Sequence, residues 1–378
     1  MDSSQKNFER INSMMKEKGV LTDKGTGLQY YTGYSYATLY DWDQYFEAII
    51  QSYMGWDMVY AKNAVNIFLR SQRADGFIGR SVPPGGEFEA GEMVKPFLAQ
   101  TAYFICKKEK NFDWLTEKNY GGLKKAVAYW TDGPGKSENG LSVWRSGPHT
   151  GMDNQHERAG KWEADYCEGA DLNCYLIREC RAMAKLAEMT DRADDVSFFD
   201  SAADKLKLAV QSLWHEGDGI FYDRDRRTGE LIKVKYAGAF AALWAKAATP
   251  EQAERMVTGY ITNPNEFWRA FPLSVYAASE PGYREHREDG DLGCNWRANT
   301  WIPVNYYVFQ GLRSYGYNEA AKLLAYMTYE AVAEIGDREY YNSDSRTGCG
   351  LDPFWGWSLL AYFMPDEFEN GCDPTSLG

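Results

Sequence analysis

The sequence lacks several residue patterns that mark common functional classes. It has only four histidines, and none of its seven cysteines forms a C-x-x-C pair. No histidine or cysteine spacing matches a zinc signature, so we predict neither a metal nor a cofactor. An odd number of cysteines without paired motifs, in a chain of this size, predicts reduced thiols and a cytoplasmic protein. The first residues also lack the apolar segment of a signal peptide.

Clustered positive charge and long apolar runs are missing as well. The formal net charge is −13, and lysine and arginine form no cluster. This balance argues against a nucleic acid or an anionic membrane as partner. The longest apolar stretch, around residues 237–248, is too short to span a bilayer. We therefore expect a small molecule as the partner; the sequence does not indicate the oligomeric state.

Aromatic residues, in contrast, are abundant. The 378 residues include 13 Trp, 27 Tyr and 18 Phe, which together make 15% of the chain. Many must lie in the core, but Trp and Tyr exceed what helix packing needs. Rings that carry a polar group are typical of carbohydrate pockets. No linker or low-complexity segment divides the chain, so we expect a single catalytic domain over residues 1–378.

Hydrophobic periodicity predicts an almost entirely helical chain. Strand signals occur only at one hairpin around Thr228-Gly229. Long loops recur after alternate helices, a pattern that favours an all-α (α/α)6 toroid with a pocket at one end; periodicity alone leaves a helical bundle open. Apolar spacing predicts helices over residues 4–18, 42–54, 58–71, 96–108, 114–131, 171–189, 193–214, 237–246, 250–260, 301–315, 318–335 and 354–363.

One loop between helices carries an isolated carboxylate. It runs from Ser146 to Asn154 and contains Gly147, Pro148 and Gly151, which argue against a continuing helix. Asp153 in such a loop is placed to act on a molecule that enters a pocket. A simpler alternative is an Asx turn, in which the carboxylate binds its own backbone.

A second carboxylate stands among aromatic residues late in the chain. Glu339 precedes Tyr340-Tyr341-Asn342, with Phe354-Trp355-Gly356-Trp357 shortly after it. Glycosidic bonds are hydrolysed by two carboxyl groups, one protonated in an apolar setting and the other ionised. Asp153 and Glu339 are therefore the candidate catalytic pair. Asp43 is a third carboxylate, either an acceptor for sugar hydroxyls or an N-cap of the following helix.

These motifs resemble glycoside hydrolase family 63 in order and spacing, from about residue 30 to 363. The likeness is greatest to its compact mannosylglycerate and glucosylglycerate hydrolases and weaker to the trehalases of family 37. The residues that carry it are Tyr36, Tyr40-Asp41-Trp42-Asp43, Ser146, Gly151-Met152-Asp153-Asn154, Asp171-Leu172-Asn173, Trp296-Arg297, Trp301, Glu339-Tyr340-Tyr341-Asn342, Thr347-Gly348 and Trp357-Ser358.

The resemblance implies an (α/α)6 barrel and hydrolysis with inversion at the anomeric carbon. Asp153 matches the general acid of the family and Glu339 its general base. Inversion needs room for a water, so the two carboxyl groups should lie about 6.5–9.5 Å apart. The residues expected to hold the sugar are Tyr36, Tyr40, Trp42, Asp43, Trp296, Arg297 and Trp357, and we extend this set with Lys95, Asn154, Trp301, Tyr340 and Trp355 from the same stretches.

The sequence departs from the family pattern near the expected substrate. Gln155-His156-Glu157-Arg158 follows the acid motif where the family has Asn-Ser-Pro after Asp, and Ala298 replaces a glycine. A family Gln-Pro-Pro appears as Lys95-Pro96-Phe97. Lys95 could pair with an acidic aglycone such as glycerate, although a solvated lysine at a helix start is the simpler interpretation.

The sequence thus predicts an inverting α-glycosidase that hydrolyses a small soluble α-glucoside or α-mannoside, either a disaccharide or a glycosylglycerate. A trehalase-like hydrolase and a non-catalytic sugar-binding toroid are the alternatives. A sugar epimerase or lyase on the same fold would lean on histidine or tyrosine proton relays, and the chain has few histidines.

Overall fold

The computed structural model of the protein describes residues 3–86 and 91–378, and the chain is about 48% helical. No helix in these ranges is long and apolar enough to cross a membrane. The helices are α1 (Ser3–Met14), α2 (Asp41–Tyr53), α3 (Val59–Arg70), α4 (Leu98–Glu109), α5 (Glu117–Thr131), α6 (Gly147–Thr150), α7 (His156–Ala159), α8 (Ala170–Met189), α9 (Ala193–Val210), α10 (Ala241–Trp244), α11 (Pro250–Met256), α12 (Ile302–Ser314), α13 (Asn318–Ile335) and α14 (Met364–Glu369).

Six helical elements form a closed ring of contacts. In ring order these are α2, α4, α8, α10, α12 and a 3₁₀ segment over Trp357–Tyr362, which packs back against α2. The residues of α12 from Ile302 to Leu312 are all buried, as expected for a helix that is apolar on every side. α9 packs outside α8 and buries a single stripe, Phe199, Ala203, Leu206 and Val210. The ring is therefore an inner layer with amphipathic helices around it.

The described residues contain twelve short strands within the segments between helices, so the prediction of strand structure at a single hairpin was wrong. Each has only two or three residues, too few to produce an alternating pattern in the sequence. All pairs are antiparallel, in the sheets β1-β2, β3-β4, β6-β7, β5-β8-β9 and β10-β11-β12. The strands are β1 (Val20–Thr22), β2 (Gln29–Tyr31), β3 (Leu39–Tyr40), β4 (Ser81–Val82), β5 (Cys167–Glu168), β6 (Trp214–His215), β7 (Ile220–Phe221), β8 (Asp223–Asp225), β9 (Leu231–Ile232), β10 (Asn299–Thr300), β11 (Tyr340–Asn342) and β12 (Gly348–Cys349).

The loop that carries Asp153 is more structured than predicted. Ser146 caps the short helix α6 by accepting a hydrogen bond from the His149 amide, and Pro148 occupies the first turn, where its missing N–H costs nothing. Gly151 ends the helix with a φ of 83°, a left-handed conformation that favours glycine. The chain then turns sharply and presents Asp153 at the end of the ring where α2, α8 and α12 begin.

Candidate active site

A cavity of about 310 Å³ lies at this end of the ring. The loops after α5 and before α12 form one side of it, and the segment around β11 forms another. Both candidate catalytic carboxyl groups lie on its wall. The other predicted residues on the wall are Tyr36, Tyr40, Trp42, Asp43, Lys95, Trp296, Trp301 and Trp357.

Asp153 is held by a distant part of the chain. Its Oδ2 accepts a hydrogen bond of 2.8 Å from the amide of Cys294, which is 141 residues away in sequence. The carboxylate therefore binds the opposite loop, and the Asx-turn alternative is not what the structure contains. Burial raises the pKa of Asp153, while Arg80, the Cys294 amide and Lys95 oppose part of that rise. A raised pKa suits a group that must hold a proton near neutral pH.

Glu339 lies opposite, just before β11. Its Oε2 accepts a hydrogen bond of 3.1 Å from the amide of Leu351, and Trp357 Nε1 donates to its backbone carbonyl at 2.8 Å. The side chain is buried but reaches the cavity. Burial, and to a smaller extent the charge of Asp153, raise the pKa of Glu339. The two carboxyl groups therefore influence each other electrostatically, as a pair facing one cavity does.

Cys294 contacts both carboxyl groups. Besides the amide contact with Asp153, its thiol donates to Glu339 Oε1 at 3.7 Å. The amide nitrogen and sulfur of one cysteine are at most about 4 Å apart, which places the two carboxylate oxygens within about 11 Å of each other. This bound includes the separations used by both inverting and retaining glycosidases.

Asp43 is the third carboxyl group at the cavity. It is the third residue of α2, whose N-cap is Tyr40, so the capping alternative for Asp43 was wrong. Burial raises the pKa of Asp43 to about 7, against the opposing influence of Lys95. A buried carboxyl group on the cavity wall is placed to accept a hydrogen bond from a hydroxyl group of a bound sugar.

Lys95 is a buried ion-pair partner. Its ammonium lies 3.1 Å from Asp41 Oδ1 and its side chain is 1% exposed, so the interpretation as a solvated lysine was wrong. Its backbone amide also donates to Asp41 Oδ2 at 2.7 Å. The ammonium lies 5.4 Å from the centre of the Trp42 ring. Lys95 thus fixes the start of α2 and the indole of Trp42, which lines the cavity.

The aromatic walls are stacked on each other. The rings of Trp296 and Trp301 are parallel with centres 3.5 Å apart, and Trp42 lies 5.8 Å from Trp296. On another side, Tyr34 stacks on Tyr36 at 4.8 Å. Flat apolar faces with polar edges are the surfaces to which sugar rings bind.

Four of the predicted sugar-binding residues lie behind the wall. Arg297 is buried and donates to the carbonyl of Asn154 at 2.6 Å and to Glu157 at 2.8 Å. Asn154 accepts from the amide of Trp296. Tyr340 stacks on the far side of Trp301 at 4.6 Å, and Trp355 donates to the carbonyl of Thr32 at 2.8 Å. These side chains position the wall: Arg297, Asn154 and Trp355 bind other parts of the protein, and Tyr340 packs behind Trp301.

The wall also contains residues outside the predicted set. Tyr34 is 2% exposed, and its hydroxyl has no hydrogen-bond partner in the described part of the chain. A buried unsatisfied hydroxyl on a pocket wall is available to a ligand. Arg80, Trp162, Leu292 and Cys294 also line the cavity. Trp162 and Arg80 belong to loops without periodic signal, and Tyr34 is one of many tyrosines in its segment.

A buried charge cluster supports the Asp153 loop from below. Arg158 is the last residue of the segment 155–158, which departs from the family motif. It forms ion pairs with both Asp171 and Asp223. Tyr236 lies under the guanidinium at 3.7 Å and donates to Asp223 at 2.7 Å. The two carboxylates raise the pKa of Arg158 against its burial. This arginine joins α7 to the start of α8, so Asp171 helps to hold the loop that carries Asp153.

Comparison with known proteins identifies the family. The chain matches the mannosylglycerate hydrolase MGH1-like glycoside hydrolase domain over residues 36–358. The chain belongs to this family. The match extends over most of the chain, and the predicted relation to family 63 and, more distantly, to trehalases is confirmed.

Individual relatives share the fold at low identity. The mannosylglycerate hydrolase of Rubrobacter radiotolerans is 28% identical over 187 residues, which are 48% of this chain and 40% of that protein. The match thus spans less than half of this relative's length. The crystal structure of a GH63 mannosylglycerate hydrolase from Thermus thermophilus has a TM-score of 0.77 at 18% identity, covering 94% of this chain and 99% of that one. The neutral trehalase of Saccharomyces cerevisiae has a TM-score of 0.69 at 18% identity, covering 96% and 80%.

Proposed function

We propose that this glycoside hydrolase domain is a single (α/α)6 toroid that hydrolyses a small α-glycoside with inversion, without a cofactor. The observation that carries the proposal is the pair Asp153 and Glu339. Both carboxyl groups have raised pKa values, both contact Cys294, and both face one aromatic cavity. All seven cysteines are free, which supports a cytoplasmic location.

In the proposed reaction Asp153 is protonated and donates to the glycosidic oxygen. The Cys294 amide holds Oδ2, which leaves Oδ1 for the substrate. Glu339 is ionised and removes a proton from a water that attacks the anomeric carbon from the opposite face. Asp43 accepts from hydroxyls of the bound sugar, and the indoles of Trp42, Trp296 and Trp301 hold its ring.

The charges on the cavity wall favour a neutral aglycone. Within the described residues, the two cations on the wall are Lys95, paired with Asp41, and Arg80, paired with Glu92 at 2.8 Å. Three carboxyl groups share the same wall. An anionic aglycone such as glycerate would meet no uncompensated positive charge there, whereas a disaccharide would meet hydrogen-bonding groups and rings.

Proton NMR of the purified protein with α-linked disaccharides, α-mannosylglycerate and α-glucosylglycerate tests the proposal. We expect the β-anomer of the released sugar in the first minutes, and faster hydrolysis of a disaccharide than of either glycerate. Early α-anomer would mean retention and would remove Glu339 from its role as base. Binding of sugars without turnover would instead support the non-catalytic alternative.

A further inference from the structure

A second cavity, of about 530 Å³, lies at the other end of the ring. Its wall includes Arg178 and Arg181 of α8 and Arg313 near the end of α12, together with residues 373 and 376–378. Asp171, at the start of α8, belongs to the catalytic end. Arg178 follows it by seven residues, about 10 Å along the helix axis. The two cavities are therefore separate.

Positive charge is concentrated on this wall although the protein is acidic overall. Arg178, Lys207, Lys246 and Arg313 line the cavity, and within residues 3–86 and 91–378 none of them forms an ion pair with a carboxylate. Arg181 differs, since it pairs with Asp200 and Asp204. In a chain with a net charge of −13, four cations without a carboxylate ion pair around one cavity are unexpected, although the carboxylate of Asp373 lies on the same wall.

Arg178 forms the floor of the cavity. Its side chain is 6% exposed and its guanidinium lies 3.6 Å from the centre of the Trp244 ring. It donates to Gln100 Oε1 and to the carbonyls of Trp244 and Thr375, all of them neutral acceptors. Burial is the largest influence on the pKa of Arg178 and lowers it. Tyr45, Asp373 and Glu179 oppose part of that lowering, but no carboxylate of the described residues forms an ion pair with the guanidinium. A buried cation of this kind is costly to the fold, and a bound anion would offset part of that cost.

The rim is set by Arg313, Lys207 and Lys246. Arg313 donates to Gln310 Oε1 and to the carbonyl of Cys372, again neutral groups. Lys207 and Lys246 are exposed, and within the described residues their ammonium groups make no hydrogen bond, so these groups can turn toward a ligand. Asp373 lies on the same wall, and its carboxylate accepts from the amide and hydroxyl of Thr375.

We propose that this cavity binds a small multivalent oxyanion of the phosphate-ester or polyphosphate class. Guanidinium groups bind such oxyanions through paired N–H donors, and lysines bind them as point charges. The cavity has room for a phosphorylated small molecule as well as for pyrophosphate. The site is independent of the proposed glycosidase activity, because none of its residues lines the catalytic cavity.

Isothermal titration of the full chain with sodium pyrophosphate, at constant ionic strength set with sodium chloride, tests the proposal. We expect saturable binding at one site per chain. The double variant Lys207→Gln/Lys246→Gln should weaken binding at least tenfold. Lys118→Gln/Lys205→Gln is the matched control: it removes the same charge from exposed lysines off the wall, one of them on the same helix as Lys207, and should bind within twofold of the unaltered protein.

Three outcomes would overturn the proposal. These are no saturable heat with pyrophosphate, equal weakening in the two double variants, and binding of citrate as tight as that of pyrophosphate. Citrate binding of that strength would mean that the cavity attracts anions in general and does not select phosphate compounds. Since the readout is binding, failure of the glycosidase proposal would leave this test unaffected.

Discussion

At the scale of single residues, the roles proposed for Asp153 and Glu339 can be distinguished by the choice of leaving group. A general acid matters less when the departing group needs no proton, whereas the base is needed for every substrate. With an α-linked disaccharide we expect Asp153→Asn and Glu339→Gln each to lower kcat at least about a hundredfold. With an α-glycosyl fluoride, the kcat of Asp153→Asn should return most of the way to that of the unaltered protein, whereas the kcat of Glu339→Gln should stay low. Equal recovery in both variants would contradict the assignment.

The same two residues predict the pH dependence of turnover. Glu339 must be ionised, so kcat/KM should fall as the pH drops through its raised pKa. Asp153 must be protonated, so kcat/KM should fall again as the pH rises through its own raised pKa. The bell-shaped profile of kcat/KM should therefore lie at higher pH than it would if both carboxyl groups had ordinary pKa values near 4. A profile of kcat/KM from pH 3 to 9 measures this, and in Asp153→Asn the alkaline limb should disappear.

At the scale of elements, the loop before α12 positions Asp153, the proposed general acid. Gly293 has a φ of 55°, and a Cβ built there would overlap the Asp153 carboxylate. Gly293→Ala should therefore displace the carboxylate and lower kcat about a hundredfold, the loss expected from a misplacement near 1 Å. Steady-state kinetics on an α-linked disaccharide measures it.

Gly290→Ala is the matched control for this loop. Gly290 also has a positive φ, 86°, but a Cβ there meets only the end of the Lys161 side chain. Backbone strain from the added Cβ is thus similar in the two variants, and only Gly293→Ala reaches the acid. A comparable loss of kcat in both would show that loop strain, not contact with Asp153, is responsible.

The long helices were predictable from the sequence, whereas the short helices α6, α7 and α14 were not, and the wall of the site was predictable only in part. Asn318–Ile335 was predicted to the residue because its apolar spacing is regular, whereas two-residue strands such as Asn299–Thr300 leave no pattern. Motif order identified Asp153 and Glu339 as neighbours. It could not tell that Arg297 points behind the wall or that Lys95 pairs with Asp41, because both depend on which buried charge lies nearest in space.

At the scale of the whole molecule, closure of the ring buries several carboxyl groups away from the cavity. Glu367 accepts hydrogen bonds from Tyr53 at 2.6 Å and Tyr306 at 2.7 Å, and Glu179 accepts from the amides of Ala99 and Gln100. Burial raises the pKa of Glu179 and of Glu367 to about 7, and raises that of Glu47 well above its ordinary value. Together with Asp43, these carboxyl groups keep their protons in the folded chain at pH values at which the same groups are ionised in the unfolded chain.

Stability should therefore fall as the pH rises through neutrality. Between the unfolded carboxyl values near 4 and the folded values near 7, the folded state holds more protons, so the free energy of unfolding decreases with pH. His149 and His156, whose pKa values burial lowers, act in the opposite direction up to about pH 7.5, where unfolded histidines have released their protons. From pH 6.5 to 8 the carboxyl groups outweigh the two histidines, and we expect a net loss of about 2–3 kcal/mol.

Thermal denaturation followed by circular dichroism across this range checks the prediction. The midpoint should drop by several degrees from pH 6.5 to 8. Glu367→Gln should flatten the slope, because it removes one group that releases its proton in that window. A midpoint that rises over the same interval would mean that these carboxyl groups are ionised in the folded protein, and that polar contacts such as those of Tyr53 and Tyr306 outweigh burial.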